Sequence, residues 1–167
     1  LAISMMFGVT SLKAEELNPS IKTILSFNKQ HADKFGELIV QDSSGRMKPL
    51  DTLNHGILAK IYRGSSLSIG KYSLDADQVI LGMMLKPDIY KNIKMIRTHN
   101  KYVNKLIGAK EDAKYVSFAQ FFRDGDKMQG YKLADSVNEI TRKEVKHRDK
   151  IDKAILKVDE KVNICYM

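Results

Sequence analysis

Several things are scarce in this sequence. There is no tryptophan, one cysteine (Cys165) and only three prolines in 167 residues. A lone cysteine excludes an internal disulfide and any zinc site built on cysteine pairs. It suits the cytosol, and equally a periplasmic segment that needs no bridge. The uncharged apolar stretch at residues 1–12, LAISMMFGVTSL, falls short of the roughly 20 residues that cross a bilayer. It reads as the end of a membrane helix or the core of an export signal. The Gly- and Ser-rich stretch 64–73 carries neither GxxxxGK[ST] nor GxGxxG, so no phosphate-cradling loop is indicated. No Ser/His/Asp, Cys/His, paired-carboxylate or metal-ligand spacing emerges, which leaves the segment without a catalytic set of its own.

What is present is a globular, basic chain. Hydrophobic residues make up 43% and charged residues 29%, with a net charge of +8. That balance is too apolar for disorder. It suits an acidic protein, an anionic membrane surface or nucleic acid, and does not choose among them.

The most informative stretch is residues 31–53, HADKFGELIVQDSSGRMKPLDTL. Leu38-Ile39-Val40 has strand character, Asp42-Ser43-Ser44-Gly45 is a turn cluster, and Arg46-Met47-Lys48 returns antiparallel. Pro49 ends the second strand, and Asp51 or Thr52 can cap the next helix. This predicts a small β-hairpin at about 37–49.

Helical spacing predicts one helix over 20–36 with Gly36 as its C-cap, and another over 52–63. Residues 64–73 read as a loop. Asp75 or Asp77 opens a further helix, residues 93–96 read as extended, Asn100 opens a helix, and Ser117 caps the FAQFF piece. From Tyr131 to Cys165 there is neither Gly nor Pro, and Val137, Ile140, Glu144, His147, Ile151, Ile155, Val158, Val162 and Cys165 follow alternating three- and four-residue steps. Such a seam predicts one helix over 131–165, about 50 Å long, that projects or pairs. Glu144 and His147 are half of a di-iron helix signature. No second copy occurs, so no metal is expected. The expected architecture is α+β and mainly α. It comprises an apolar segment at 1–14, a compact domain at 15–128 and the long helix at 129–167.

The 31–53 stretch also resembles the H-A-x-x-F-G-x-L-x-V-Q-D-x-x-G-R-x-K-P-x-D-T segment of fused ResB/CcsA-type cytochrome c biogenesis proteins, the System II cytochrome c synthases. Residues 75–87, DADQVILGMMLKP, resemble that family's DQV-L-GM-L-P element. The resemblance implies a soluble segment on the periplasmic side of the bacterial inner membrane. It implies a parent protein that exports haem and joins it to the two thiols of a CxxCH motif. The family's Trp-rich haem-handling segment has no counterpart in a chain without tryptophan. None of His31, His55, His99 or His147 carries over as an axial haem ligand, and no cofactor is expected bound in this segment.

The function so implied is an accessory one: positioning apocytochrome c, or supporting the haem channel, with apocytochrome and other segments of the same membrane protein as partners. A membrane surface is a further candidate contact. Local turn and cap rules leave His31, Gln41, Arg46 and Asp51 unexplained, so these are the candidate partner-contact residues, Arg46 first. The alternative from charge alone is a basic helical module binding nucleic acid or an acidic protein.

Overall fold

The computed structural model describes residues 19–25, 29–42, 44–125, 127 and 129–166. The apolar segment at 1–14 therefore lies outside the described residues. The fold is α+β and mainly helical, with short antiparallel strand pairs between helices and a long C-terminal helix. Among the described residues no helix is long and apolar enough to cross a membrane.

The first described elements are α1 (Pro19–Leu25) and α2 (Lys29–Gly36), within the stretch expected to be helical over 20–36; residues 26–28 lie outside the described ones. Gly36 closes α2. The expected hairpin follows as β1 (Ile39–Gln41) and β2 (Met47–Pro49), paired Ile39 to Pro49 and Gln41 to Met47. Gly45 makes the turn at φ +83°, a conformation that costs glycine nothing. Helix α3 (Leu50–Ile61) starts earlier than predicted. Pro49 takes the N-cap position with no side-chain cap, so neither Asp51 nor Thr52 serves as one. Proline lacks an N–H, and its fixed φ hands the chain directly into the helix.

The stretch read as a loop is a second hairpin. Strands β3 (Ser66–Ile69) and β4 (Tyr72–Asp75) pair throughout, and Gly70 turns them at φ +59°. Leu67 and Leu74 point inward and are buried. Asp75 then caps α4 (Ala76–Leu85) with a full capping box: its carboxylate accepts the Gln78 N–H at 2.9 Å, and the Gln78 side chain accepts the Asp75 N–H at 3.2 Å.

A short α5 (Pro87–Tyr90) leads to β5 (Lys94–Arg97). Asn100 caps α6 (Lys101–Leu106) through Tyr102 N and Val103 N. Strand β6 (Tyr115–Ser117) pairs with β5, a 3-10 turn carries Phe118–Phe121, and β7 (Phe122–Asp124) pairs with β8 (Gln129–Tyr131). Phe118, Phe121 and Phe122 are buried in one core with Ile24, Leu58, Met95 and Val116.

The C-terminal third differs from the single helix predicted over 131–165. It holds α7 (Ala134–Arg142), a 3-10 turn at Val145–His147, and α8 (Lys150–Ile164). The break needs neither Gly nor Pro. Asp149 starts a new helix with a capping box on Asp152, its carboxylate accepting the Asp152 N–H at 2.7 Å. A carboxylate placed so competes with a continuing helical ladder. Glu144 and His147, the polar members of the seam, fall in the turn and are exposed. Helix α8 does not project. Ile155, Val158 and Val162 are buried against the body, and α8 packs on α3, β5, α6 and α7.

Candidate functional site: the hairpin and its three-helix support

Two local structures concern the residues singled out from sequence. The first is the β1–β2 hairpin. Asp42 is its brace: the carboxylate accepts from Ser44 N (2.9 Å), Ser44 Oγ (2.7 Å) and Arg46 N (3.0 Å), and pairs with Lys48 Nζ at 2.7 Å. Lys48 first, then the Ser44 hydroxyl and the Arg46 N–H, hold this carboxyl well below the usual carboxylate range. Gln41 Nε2 donates across the turn to Gly45 O at 3.1 Å. Val40 and Lys48 face inward. Ile39, Gln41, Met47 and Pro49 form the outward face, all exposed, with Arg46 beside them at the turn. Leu38 and Ile39 are 55% and 59% exposed and Met47 64%, which is unusual for a run of large apolar side chains on one small element.

The second is the junction of α2, α3 and α4, which the hairpin adjoins through α3. Asn54 on α3 donates from Nδ2 to Asp77 Oδ1 on α4 at 2.7 Å, with both residues buried. Gly36, the last residue of α2, lies against this carboxyl; a Cβ there would sit 2.2 Å from Asp77 Oδ2. Burial pushes the Asp77 carboxyl above its ordinary value. The Asn54 amide opposes the rise, and the nearby Asp51 and Asp75 charges add to it. The Asn54 carbonyl oxygen has no partner in this arrangement. Around this pair runs a rim of exposed ions. Lys29 bridges Asp33 (2.9 Å) and Asp75 (2.8 Å), and Asp51 pairs with His55 at 2.8 Å.

The four sequence candidates therefore do not form one cluster. Gln41 and Arg46 share the hairpin. Asp51 lies in the first turn of α3 with His55 as its partner, and His31 is exposed on α2. Gln41 acquires a local explanation as a turn brace. The Arg46 guanidinium has no ion-pair partner among the described residues.

Sequence reasoning missed Asn54 and Asp77. The signal available was spacing: Asn54, Leu58 and Ile61 are i, i+4 and i+7, so a polar residue sits in the buried stripe of α3. No group of three or more His, Cys, Asp or Glu side chains able to hold a metal occurs among the described residues.

Cys165 lines a cavity of about 250 Å3 with Met83, Met95, Tyr90, Phe118 and Tyr166. Burial pushes its thiol up to about 12, so it stays protonated and unreactive at neutral pH.

No protein-family model matches this sequence. The chain is similar to the curated Protein NrfI of Wolinella succinogenes, 39% identical over 133 residues. The match covers 80% of this chain and 14% of that protein, so the chain corresponds to about one-seventh of its relative's length.

Proposed function

We propose that this chain is an extracytoplasmic accessory domain of a cytochrome c biogenesis membrane protein, placed on the periplasmic side of a bacterial inner membrane, where it positions apocytochrome c or supports the haem channel. The likeness to Protein NrfI supports the coarser part of this reading, a role in cytochrome c maturation. The resemblance of residues 31–53 and 75–87 to the cytochrome c synthases supports the same reading. These two segments are separated in sequence, yet they meet at the α2–α3–α4 junction where Gly36 lies against Asp77.

The observation that carries the reading is the outward face of the hairpin. Ile39, Met47 and Pro49 offer an apolar strip and Arg46 a guanidinium without an ion-pair partner among the described residues, on a turn braced by Asp42. Such a face suits an extended peptide segment that has apolar side chains and a carboxylate or backbone carbonyl for Arg46. Haem is handled by the full-length protein in this reading, and covalent attachment is done elsewhere in it.

Titration of the chain with a labelled apocytochrome peptide containing CxxCH, followed by fluorescence anisotropy, tests the proposal. Saturable binding that is weakened by Arg46→Ala and by Met47→Asp is expected. Binding no tighter than that of a scrambled peptide of the same composition refutes it. If haem also fails to bind, a purely structural role within the longer protein takes its place.

A further inference from the structure

A second charged feature lies away from the hairpin, where α8 crosses the end of α3 and the strand β5. Lys161 on α8 is half-buried, and its ammonium donates to the Arg97 carbonyl oxygen at 2.6 Å. Arg97 stands opposite Tyr115 in the β5–β6 register. The Tyr115 ring packs on Tyr62 with centroids 4.6 Å apart. Tyr62 is followed directly by Arg63. This chain of contacts places the Lys161 ammonium and the backbone of Arg63 and Arg97 beside a tyrosine pair, and Lys157 lies one helical turn before Lys161. Burial lowers the Lys161 pKa first, and the Arg63, Arg97 and Lys157 charges lower it further.

No carboxylate within salt-bridge distance offsets these cations among the described residues. Glu160, the nearest acid by its effect on Lys161, is already paired with Lys60. Three like charges around a half-buried ammonium are destabilising on their own. Arg63 adds a second cost. It occupies the position just past the α3 C-cap at φ +61°, a left-handed conformation that glycine takes without strain. Gly64 is the next residue along and does not fill it. A basic side chain thus stands at a left-handed position that glycine would fill without strain.

We propose that Arg63, Arg97, Lys157 and Lys161 form a binding site for a compact multivalent oxyanion, a ligand carrying clustered phosphate or carboxylate groups. The two guanidiniums provide planar forks for oxygen pairs and the two ammoniums provide point charges. The proposal stands apart from the cytochrome c reading, and either can fail without the other.

Isothermal titration calorimetry of the 167-residue chain in low salt, with inorganic pyrophosphate and separately with citrate, is the test. Saturable one-to-one binding of at least one is expected. Arg97→Gln should weaken it roughly tenfold or more, whereas Lys34→Gln, an exposed lysine on α2, should leave it within about twofold. Arg63→Gly should weaken binding and at the same time raise the melting temperature by about 1–4 °C, which separates loss of the ligand site from loss of the fold. Three results overturn the proposal: no saturable heat with either anion, equal weakening by Lys34→Gln and Arg97→Gln, or binding to phosphatidylglycerol vesicles without binding to the free anions.

Discussion

Replacing Gly36 with alanine tests the junction that adjoins the hairpin. The added Cβ would sit 2.2 Å from Asp77 Oδ2 and 2.8 Å from its Cγ. Ordinary contact needs more than a further ångström, and Asp77 is not a flexible surface chain able to give way. Its carboxyl is buried and held by Asn54 at 2.7 Å. Overpacking of this kind costs about 1–3 kcal/mol. Displacing the carboxyl also leaves the Asn54 amide donor unmade, worth about 1–3 kcal/mol in a buried setting. Alanine recovers up to about 1 kcal/mol of helix propensity, less at a terminal residue. The net expectation is a loss of about 2–4 kcal/mol, or a drop of roughly 5–12 °C in melting temperature for a chain of this size.

Thermal and urea unfolding of Gly36→Ala, Asp77→Ala and the double variant would measure this. The methyl should cost at least about 1 kcal/mol less in the Asp77→Ala background, because the atoms it strikes are gone. A Gly36→Ala variant that melts within about 1 °C of the parent refutes the reasoning. So does an equal cost in both backgrounds, which would place the penalty in the backbone.

Asp42 makes a pH prediction. Its folded pKa is depressed, so its contribution to stability is present above about pH 4 and is lost as pH falls toward its lowered value. Asp42→Asn should therefore flatten the acid limb of a urea-midpoint profile between about pH 2 and 5, and an unchanged slope would count against the brace. Gly82 is covered by the Tyr90 hydroxyl, which has no partner. Tyr90→Phe should be within about 0.5 kcal/mol of neutral. Gly82→Ala should cost about 1–3 kcal/mol, less when combined with Tyr90→Phe; calorimetric melts of the three variants decide it.

The parts of the fold legible from sequence were those with a local chemical signature. The Asp42–Gly45 turn, the Asp75 capping box, the Asn100 cap and the Phe118–Phe122 anchor each follow from side chains near their own backbone. What was not legible depended on competition between signals. The 66–75 hairpin was hidden because serine and glycine outweighed a short alternation of Leu67, Ile69, Tyr72 and Leu74. The α7–α8 break was hidden because an unbroken seam of three- and four-residue steps masked the Asp149–Asp152 box. The site divided the same way. Gln41 and Arg46 stood out as candidates because sequence-level turn rules left them unexplained, and Gln41 then proves to brace the turn. Asn54 and Asp77 did not stand out, since a single buried polar residue in an apolar stripe acquires meaning only when its partner, 23 positions away, is seen.

The hairpin's outward face has a consequence for how this protein can change over time. Its turn is held by Asp42, Ser44 and Lys48, and its inward contacts by Val40. Ile39, Met47 and Pro49 are exposed and contribute little to the core, and Arg46 supports the turn through its backbone alone. Ile39 and Met47, which fall between the fixed positions of the motif, can vary with small effect on folding. Drift should concentrate at those two positions while Arg46, Pro49, Gly36, Asn54 and Asp77 hold still.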